Sequence, residues 1–233
     1  MKKLAFILTS FSFLLTPALA YAQSVDILWQ GDGYTPPFYE GRAMWSNQSR
    51  ITLLAVPQGL GNDANLNYKW SRNGTVLGDF SGVGKNTLSF NDSVLSRPQS
   101  IKVEIISNND EVVTQSSVRI APVVPSVLVF ENNPLLGFLF HREVGSTYTL
   151  KDAEVTFTSF PFFFNTRNHA DPLLTYKWQT NNGEVETKNS VTYRVPDGAS
   201  GESFVSVNIS NSKKILQTAG KSFLVQFGQN NDQ

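Results

Sequence analysis

Cysteine is absent from the 233 residues. That excludes disulfides, thiol nucleophiles, thiolate metal sites and lipid attachment through an N-terminal cysteine. Histidine is nearly absent: His141 and His169 stand in unrelated contexts, Phe140-His141-Arg142-Glu143 and Asn168-His169-Ala170-Asp171, and make a poor zinc set. His169 and Asp171 have the spacing of a base and its orienter, but no serine in a G-x-S-x-G turn accompanies them, so His169 reads as a polar loop residue. Charge is sparse, at 16% Asp, Glu, Lys and Arg, and balanced at 19 basic against 19 acidic residues. No basic stripe runs along the chain, which argues against nucleic acid as a partner. No acid stands in a context that marks it for glycoside hydrolysis, and no cofactor is expected. Long apolar runs are missing after residue 15. Residues 123–130 and 135–140 fall well short of the about 20 needed to span a bilayer.

The one long apolar run is residues 4–15. Lys2 and Lys3 precede it, and Pro17 and two A-x-A frames, Ala18-Leu19-Ala20 and Ala20-Tyr21-Ala22, follow. This is the pattern of a cleaved export signal, and it places the new N-terminus at Gln23. Loss of residues 1–22 removes two lysines and no acid, leaving 17 basic against 19 acidic residues. The chain is therefore expected outside the cytoplasm, in the periplasm, at the cell surface or extracellular. The polar end, residues 228–233, is expected to fray.

The most informative positive feature is a repeated phrase. Leu66-Asn67-Tyr68-Lys69-Trp70 returns as Leu174-Thr175-Tyr176-Lys177-Trp178. Val56-Pro57 and Phe160-Pro161 precede the two copies, Asn73-Gly74 and Asn181-Asn182-Gly183 follow, and Ser107-Asn108 and Ser210-Asn211 close later strands. Around each copy the alternation has period two: Ile51-x-Leu53-x-Ala55 and Val155-x-Phe157-x-Ser159, then Ile101-x-Val103-x-Ile105 and Val205-x-Val207-x-Ile209. β-branched residues and Gly/Asn/Pro punctuation complete a strand signature, with no helical period after residue 22. About seven short strands in roughly 100 residues predict an immunoglobulin-like sandwich. The fold class is thus all-β: two tandem immunoglobulin-like β-sandwiches, residues 23–121 and 126–228, after a signal peptide at 1–22. Ala121-Pro122-Val123-Val124-Pro125 divides them. The opening strands align as Asp26-Ile27-Leu28-Trp29 with Val127-Leu128-Val129-Phe130, and the second copy has extra residues near 165–172, where a loop absorbs them.

Residues two apart on a strand share a face, so Leu66, Tyr68 and Trp70, and likewise Leu174, Tyr176 and Trp178, point together. Tyr68, Trp70, Tyr176 and Trp178 are the predicted structural core. Aliphatics such as Ile105 and Ile209 fill the place of the disulfide on which the tryptophan packs in antibody domains.

The segments least explained by a core are two apolar insertions. One reads Gly33-Tyr34-Thr35-Pro36-Pro37-Phe38-Tyr39-Glu40-Gly41-Arg42 and the other Asn133-Pro134-Leu135-Leu136-Gly137-Phe138-Leu139-Phe140-His141. Phe162-Phe163-Phe164 adds a run whose three rings cannot all face one core. Two readings stand. The insertions cover the sandwich ends or pack the halves together, or they form a contact surface for a partner. On the second reading the candidate partner-binding residues are Tyr34, Phe38, Tyr39, Arg42, Leu135, Phe138, Phe140 and Phe163. Gly61-Asn62-Asp63-Ala64-Asn65 carries calcium-type oxygens but lacks the EF-hand register and reads as a turn. The N-x-[ST] sequons at Asn47, Asn73, Asn91 and Asn208 matter only in a host that glycosylates exported chains.

Ile27-Leu28-Trp29 followed by Tyr34-x-Pro36-Pro37-Phe38-Tyr39-x-Gly41-Arg42-Ala43, with Phe130-Glu131-Asn132-Asn133-Pro134-Leu135-Leu136-Gly137 later, resembles a family of exported proteins from small-genome, candidate-phylum bacteria that carry two immunoglobulin-like, polycystic-kidney-disease-like domains. The resemblance covers the mature chain. It implies a lineage and an export route, not an activity. The functional expectation is a noncatalytic binding or structural module at the cell envelope that contacts an envelope or surface protein, in a surface appendage or secretion assembly. The alternative is a carbohydrate-binding module using exposed aromatics, with Trp29, Trp45 and Tyr39 as candidates.

Overall fold

The computed structural model of the protein describes residues 22–181, 183 and 185–228. The expected export signal lies outside these residues apart from Ala22, and so does the tail after Gly228.

The chain is all-β and forms two immunoglobulin-like sandwiches in tandem. The first contains β1 (Ser24–Gly31), β2 (Arg50–Gln58), β3 (Asn67–Arg72), β4 (Thr75–Val76), β5 (Gly82–Val83), β6 (Thr87–Asn91), β7 (Gln99–Ile106) and β8 (Val112–Ile120). One sheet has the order β1-β2-β6 and faces a second of order β4-β3-β7-β8, with β5 also paired to β3. The second sandwich contains β9 (Ser126–Asn133), β10 (Gly137–Glu143), β11 (Thr147–Thr149), β12 (Glu154–Phe162), β13 (Leu174–Thr180), β14 (Val185–Glu186), β15 (Ser190–Arg194), β16 (Gly201–Asn211) and β17 (Lys214–Phe227). Its sheets run β10-β9-β12-β15 and β11-β17-β16-β13-β14. The pairings are antiparallel except β11 with β17, which run parallel.

Alternation decides which side chains meet between the sheets. Ile51, Leu53 and Ala55 of β2 are buried, while Leu54 between them is exposed. Ile101, Val103 and Ile105 of β7 face them, and Val205, Val207 and Ile209 of β16 do the same in the second sandwich. Tyr68, Trp70, Tyr176 and Trp178 all lie inside these cores. The strand bearing the first copy begins one residue later than its phrase. Leu66 precedes β3 and is only half-buried against the core.

The two indoles close their sandwiches in the same way. Trp70 Nε1 donates to the carbonyl of Lys85 (2.9 Å), and Trp178 Nε1 donates to the carbonyl of Lys188 (3.0 Å). The next carbonyl, that of Asn86 or Asn189, accepts from Ala55 N–H (2.8 Å) or Ser159 N–H (2.9 Å) in the opposite sheet. A Lys-Asn step therefore ties both sheets to the central ring and satisfies a buried donor.

The ladders correct two sequence-based expectations. Ala55 and Ser159 are equivalent through these bonds. Trp29 pairs with Leu53 and Glu131 with Phe157, so Glu131, not Phe130, is the counterpart of Trp29. Phe130 corresponds to Leu28, one residue away and hence on the opposite face of its sheet. The second apolar insertion is not irregular throughout. Residues 137–143 form β10, which folds back on β9 as a hairpin, with a break in register between Phe138 and Glu143.

Truncating either central ring empties the middle of a core. Trp70→Ala and Trp178→Ala are each expected to cost roughly 3–5 kcal/mol in guanidinium denaturation. Lys85→Ala is expected to leave stability nearly unchanged, because the acceptor is a main-chain carbonyl.

Candidate functional site

A one-sided sandwich leaves the outer faces of its sheets to water. In the first sandwich, Leu28 on the outer face of β1 is 55% exposed. Its counterpart Phe130 is 2% exposed, and with Phe160 and Phe162 it makes the outer face of β9 and β12 apolar. That face is covered from two directions. Phe38, from the insertion between β1 and β2, packs on Phe130 (5.1 Å between ring centroids), Phe140 (4.5 Å), Phe160 (5.7 Å) and Phe162 (5.9 Å). Phe138 and Phe140 of β10 reach Phe160 at 5.2 and 5.3 Å. Most contacts are edge-to-face, the geometry that the ring quadrupole favours.

Tyr39 meets Phe162 and Phe163 at 5.6 and 5.7 Å. The run Phe162-Phe163-Phe164 thus divides three ways: Phe162 joins the junction, Phe164 enters the core of the second sandwich, and Phe163 turns back with φ 62°. A left-handed phenylalanine is unfavourable by about 1–3 kcal/mol. Two main-chain hydrogen bonds hold it, Phe163 N–H to Tyr34 O and Tyr34 N–H to Phe164 O, both 2.7 Å. Gly33 makes the approach possible, since a Cβ there would lie 2.5 Å from Met44 O and 2.9 Å from Phe163 Cα.

A polar lock flanks the aromatic cluster. Gln217 has no exposed surface. Its amide nitrogen donates to Asn47 O (2.9 Å) and Ser49 Oγ (3.0 Å) of the first sandwich. Its amide oxygen accepts from Asn165 N–H (2.9 Å) and Asn211 Nδ2 (3.0 Å) of the second. Ser46 Oγ adds a bond to Phe163 O at 2.6 Å. Two donors and two acceptor lone pairs of one amide are all used, which is what a buried amide requires.

The structure therefore separates the candidate partner-binding residues. Tyr34, Phe38, Tyr39, Phe140 and Phe163 line the junction between the sandwiches, and Phe138 packs behind it on Phe140 and Phe160 within the second. Arg42 stacks over Trp29, 4.6 Å from its ring centroid. Leu135 alone stands clear, 91% exposed at the tip of the β9–β10 hairpin, beside Leu136 at 76%. The tip is held in shape, because Asn133 Oδ1 accepts from Leu135 N–H (3.0 Å) and Leu136 N–H (3.1 Å). Leu136, Gln217, Ser46 and Ser49 escaped the sequence reading. The Asn133-Pro134 turn signalled the hairpin; nothing in the sequence marks Gln217.

Trp45 is fully buried and donates to Asp92 at 2.8 Å, so it is not an exposed sugar platform. Asp171 accepts from Arg167 N–H and Leu173 N–H, each at 2.9 Å, which holds its carboxyl below the usual range. It thus braces the loop that carries His169. The His169 ring lies 5.0 Å from Phe160. In the 61–65 segment Asp63–Asn65 form a 3-10 turn that Asn62 caps by accepting from Ala64 N–H. Among the described residues no group of three or more His, Asp or Glu is placed to hold a metal ion, and no helix is long and apolar enough to cross a membrane.

No family model and no curated protein matches the chain. Among solved structures, it is similar to the Clostridium thermocellum CbhA fibronectin(III)-like modules, at 10% identity, TM-score 0.29, covering 88% of this chain and 97% of that one. It is also similar to the full ectodomain (Ig1–Ig3) of mouse nectin-like molecule 4, at 9% identity, TM-score 0.30, covering 89% and 66%. Likeness at this level says nothing about activity.

Gln217→Leu removes the lock and leaves buried partners on both sides unpaired, a loss of roughly 1–3 kcal/mol. Combined with Phe38→Asp, it is expected to split one calorimetric transition into two. Acid should also lower the stability of the fold. Burial pushes the His169 pKa below the ordinary 6.5. Above that value neither state binds the proton. As pH falls through it, the unfolded chain takes a proton that the folded chain refuses, so stability drops. The melting temperature should start to fall as pH drops through about 6.5, and His169→Gln should flatten that part of the curve.

Proposed function

We propose that the chain is an exported, noncatalytic binding module of the cell envelope, in which two sandwiches joined by the Phe38 cluster and the Gln217 lock present the β9–β10 hairpin to an envelope or surface protein. The observation that carries this reading is the tip itself. Leu135 and Leu136 stay in water although their main chain is fixed by Asn133. An exposed apolar pair on a flexible loop costs main-chain entropy when it is bound; one on a pre-formed turn costs less. The junction supports the reading as well, since a hairpin on a rigid base keeps its direction. Phe138 and Phe140, each 37% exposed, extend the apolar surface from the tip toward that base. A surface appendage or secretion assembly is the setting this reading favours, reached by removal of residues 1–22.

Two measurements test it. N-terminal sequencing of the exported protein should begin at Gln23. A photo-crosslinking side chain at position 136 should capture one dominant envelope protein in the producing cell, and Leu135→Asp should abolish capture without changing the melting temperature. Capture that survives Leu135→Asp would remove the hairpin from the account.

A further inference from the structure

The two sandwiches are copies, so a segment present in one and missing from the other is informative. In the first, β4 and β5 together cover the outer edge of β3: Ser71 and Arg72 pair with Val76 and Thr75, and Asn67 and Tyr68 pair with Val83 and Gly82. Gly84 N–H also donates to Leu66 O (2.9 Å). In the second, β14 pairs only with Trp178 and Gln179 of β13. Leu77 and Glu186 are equivalent, since Leu77 N–H bonds Trp70 O and Glu186 pairs with Trp178. From there, seven residues lead to Lys85 in the first copy, whereas Thr187 alone leads to Lys188 in the second. The missing residues are those of β5 and the 3-10 turn before it. Strand parity then turns the main chain of Tyr176 outward, as it does that of Tyr68, because Thr180 O faces the same edge and accepts from Gly183 N–H (3.0 Å). Among the described residues, no strand pairs with Leu174–Lys177 on that edge.

From this comparison we infer that the open edge of β13 takes up an extended segment of a partner polypeptide, which pairs with Thr175 and Tyr176 as β5 pairs with Asn67 and Tyr68. Strand addition supplies main-chain hydrogen bonds as affinity, and the residue opposite the tyrosine sets specificity. That residue must be small, since Gly82 stands opposite Tyr68 in the template. The site is distinct from the hairpin tip, and its test does not involve Leu135 or Leu136.

The probe is a synthetic peptide copying residues 77–85, offered to the full mature chain and followed by amide hydrogen exchange and fluorescence anisotropy. In the free chain the Tyr176 amide should exchange at least about tenfold faster than that of Tyr68. Peptide should bind saturably and slow Tyr176 selectively. The same peptide carrying Gly82→Pro and Gly84→Pro cannot donate from those positions and should not bind. A chain in which residues 78–84 replace Thr187 should no longer bind the parent peptide. Equal protection of Tyr68 and Tyr176 without peptide would overturn the inference. So would unchanged binding of the proline peptide, absence of binding, or self-association of the chain that protects Tyr176 at high concentration.

Discussion

The sandwiches depend on one arrangement used twice: an indole buried between two sheets whose N–H is satisfied by a lysine carbonyl. Trp70 and Trp178 each contribute more apolar area than any aliphatic neighbour, yet each carries a donor that water cannot reach. The Lys-Asn step solves both problems. It satisfies the ring and then bonds the facing sheet, so the position of one side chain sets the spacing of two layers. With no cysteine in the chain, this contact and the aliphatics around it do the work that a cross-sheet disulfide does elsewhere.

On that shared frame the copies have diverged on their outer faces. A leucine in β1 is replaced by a phenylalanine in β9, and Phe160 and Phe162 extend the apolar strip. Once such a face exists it must be covered, and the insertion between β1 and β2 covers it with Phe38 and Tyr39. The aromatic cluster supplies area, and Gln217 and Gly33 supply register, because a buried amide with four partners and a backbone approach closed to any Cβ tolerate little displacement. The hairpin tip at Leu135 and Leu136 stays exposed beyond Phe138 and Phe140 of the same hairpin.

Much of this was legible from the residues. The repeated Tyr-Lys-Trp phrase, the Val-Pro and Phe-Pro pairs and the period-two strands specify two all-β units and their cores. A further signal of the same kind, Lys85-Asn86-Thr87 against Lys188-Asn189-Ser190, marks the crossing between sheets, but it is short and polar and has no period to set it apart. The alignment of Trp29 with Phe130 failed for a physical reason. Both are large and apolar, and sequence similarity does not report which face a strand residue occupies; a slip of one reverses it. Trp45 failed differently, since an indole in a loop looks available until a distant Asp92 takes its N–H.

The sequence by itself determined the strand period, the duplication and the two central rings, because those follow from local alternation and from side chains whose size permits no other place. Tertiary structure alone decided what the apolar insertions meet. Phe38 and Phe160 are 122 residues apart, and Gln217 and Asn47 are 170 apart. Whether such groups are exposed, or spent on one another, depends on how two finished sandwiches come together, and no local pattern encodes that. The tip leucines show the same limit. Their apolarity is written in the chain, but that Leu135 stays in water while Phe140 turns toward the junction is a consequence of the turn at Asn133 and the packing behind it.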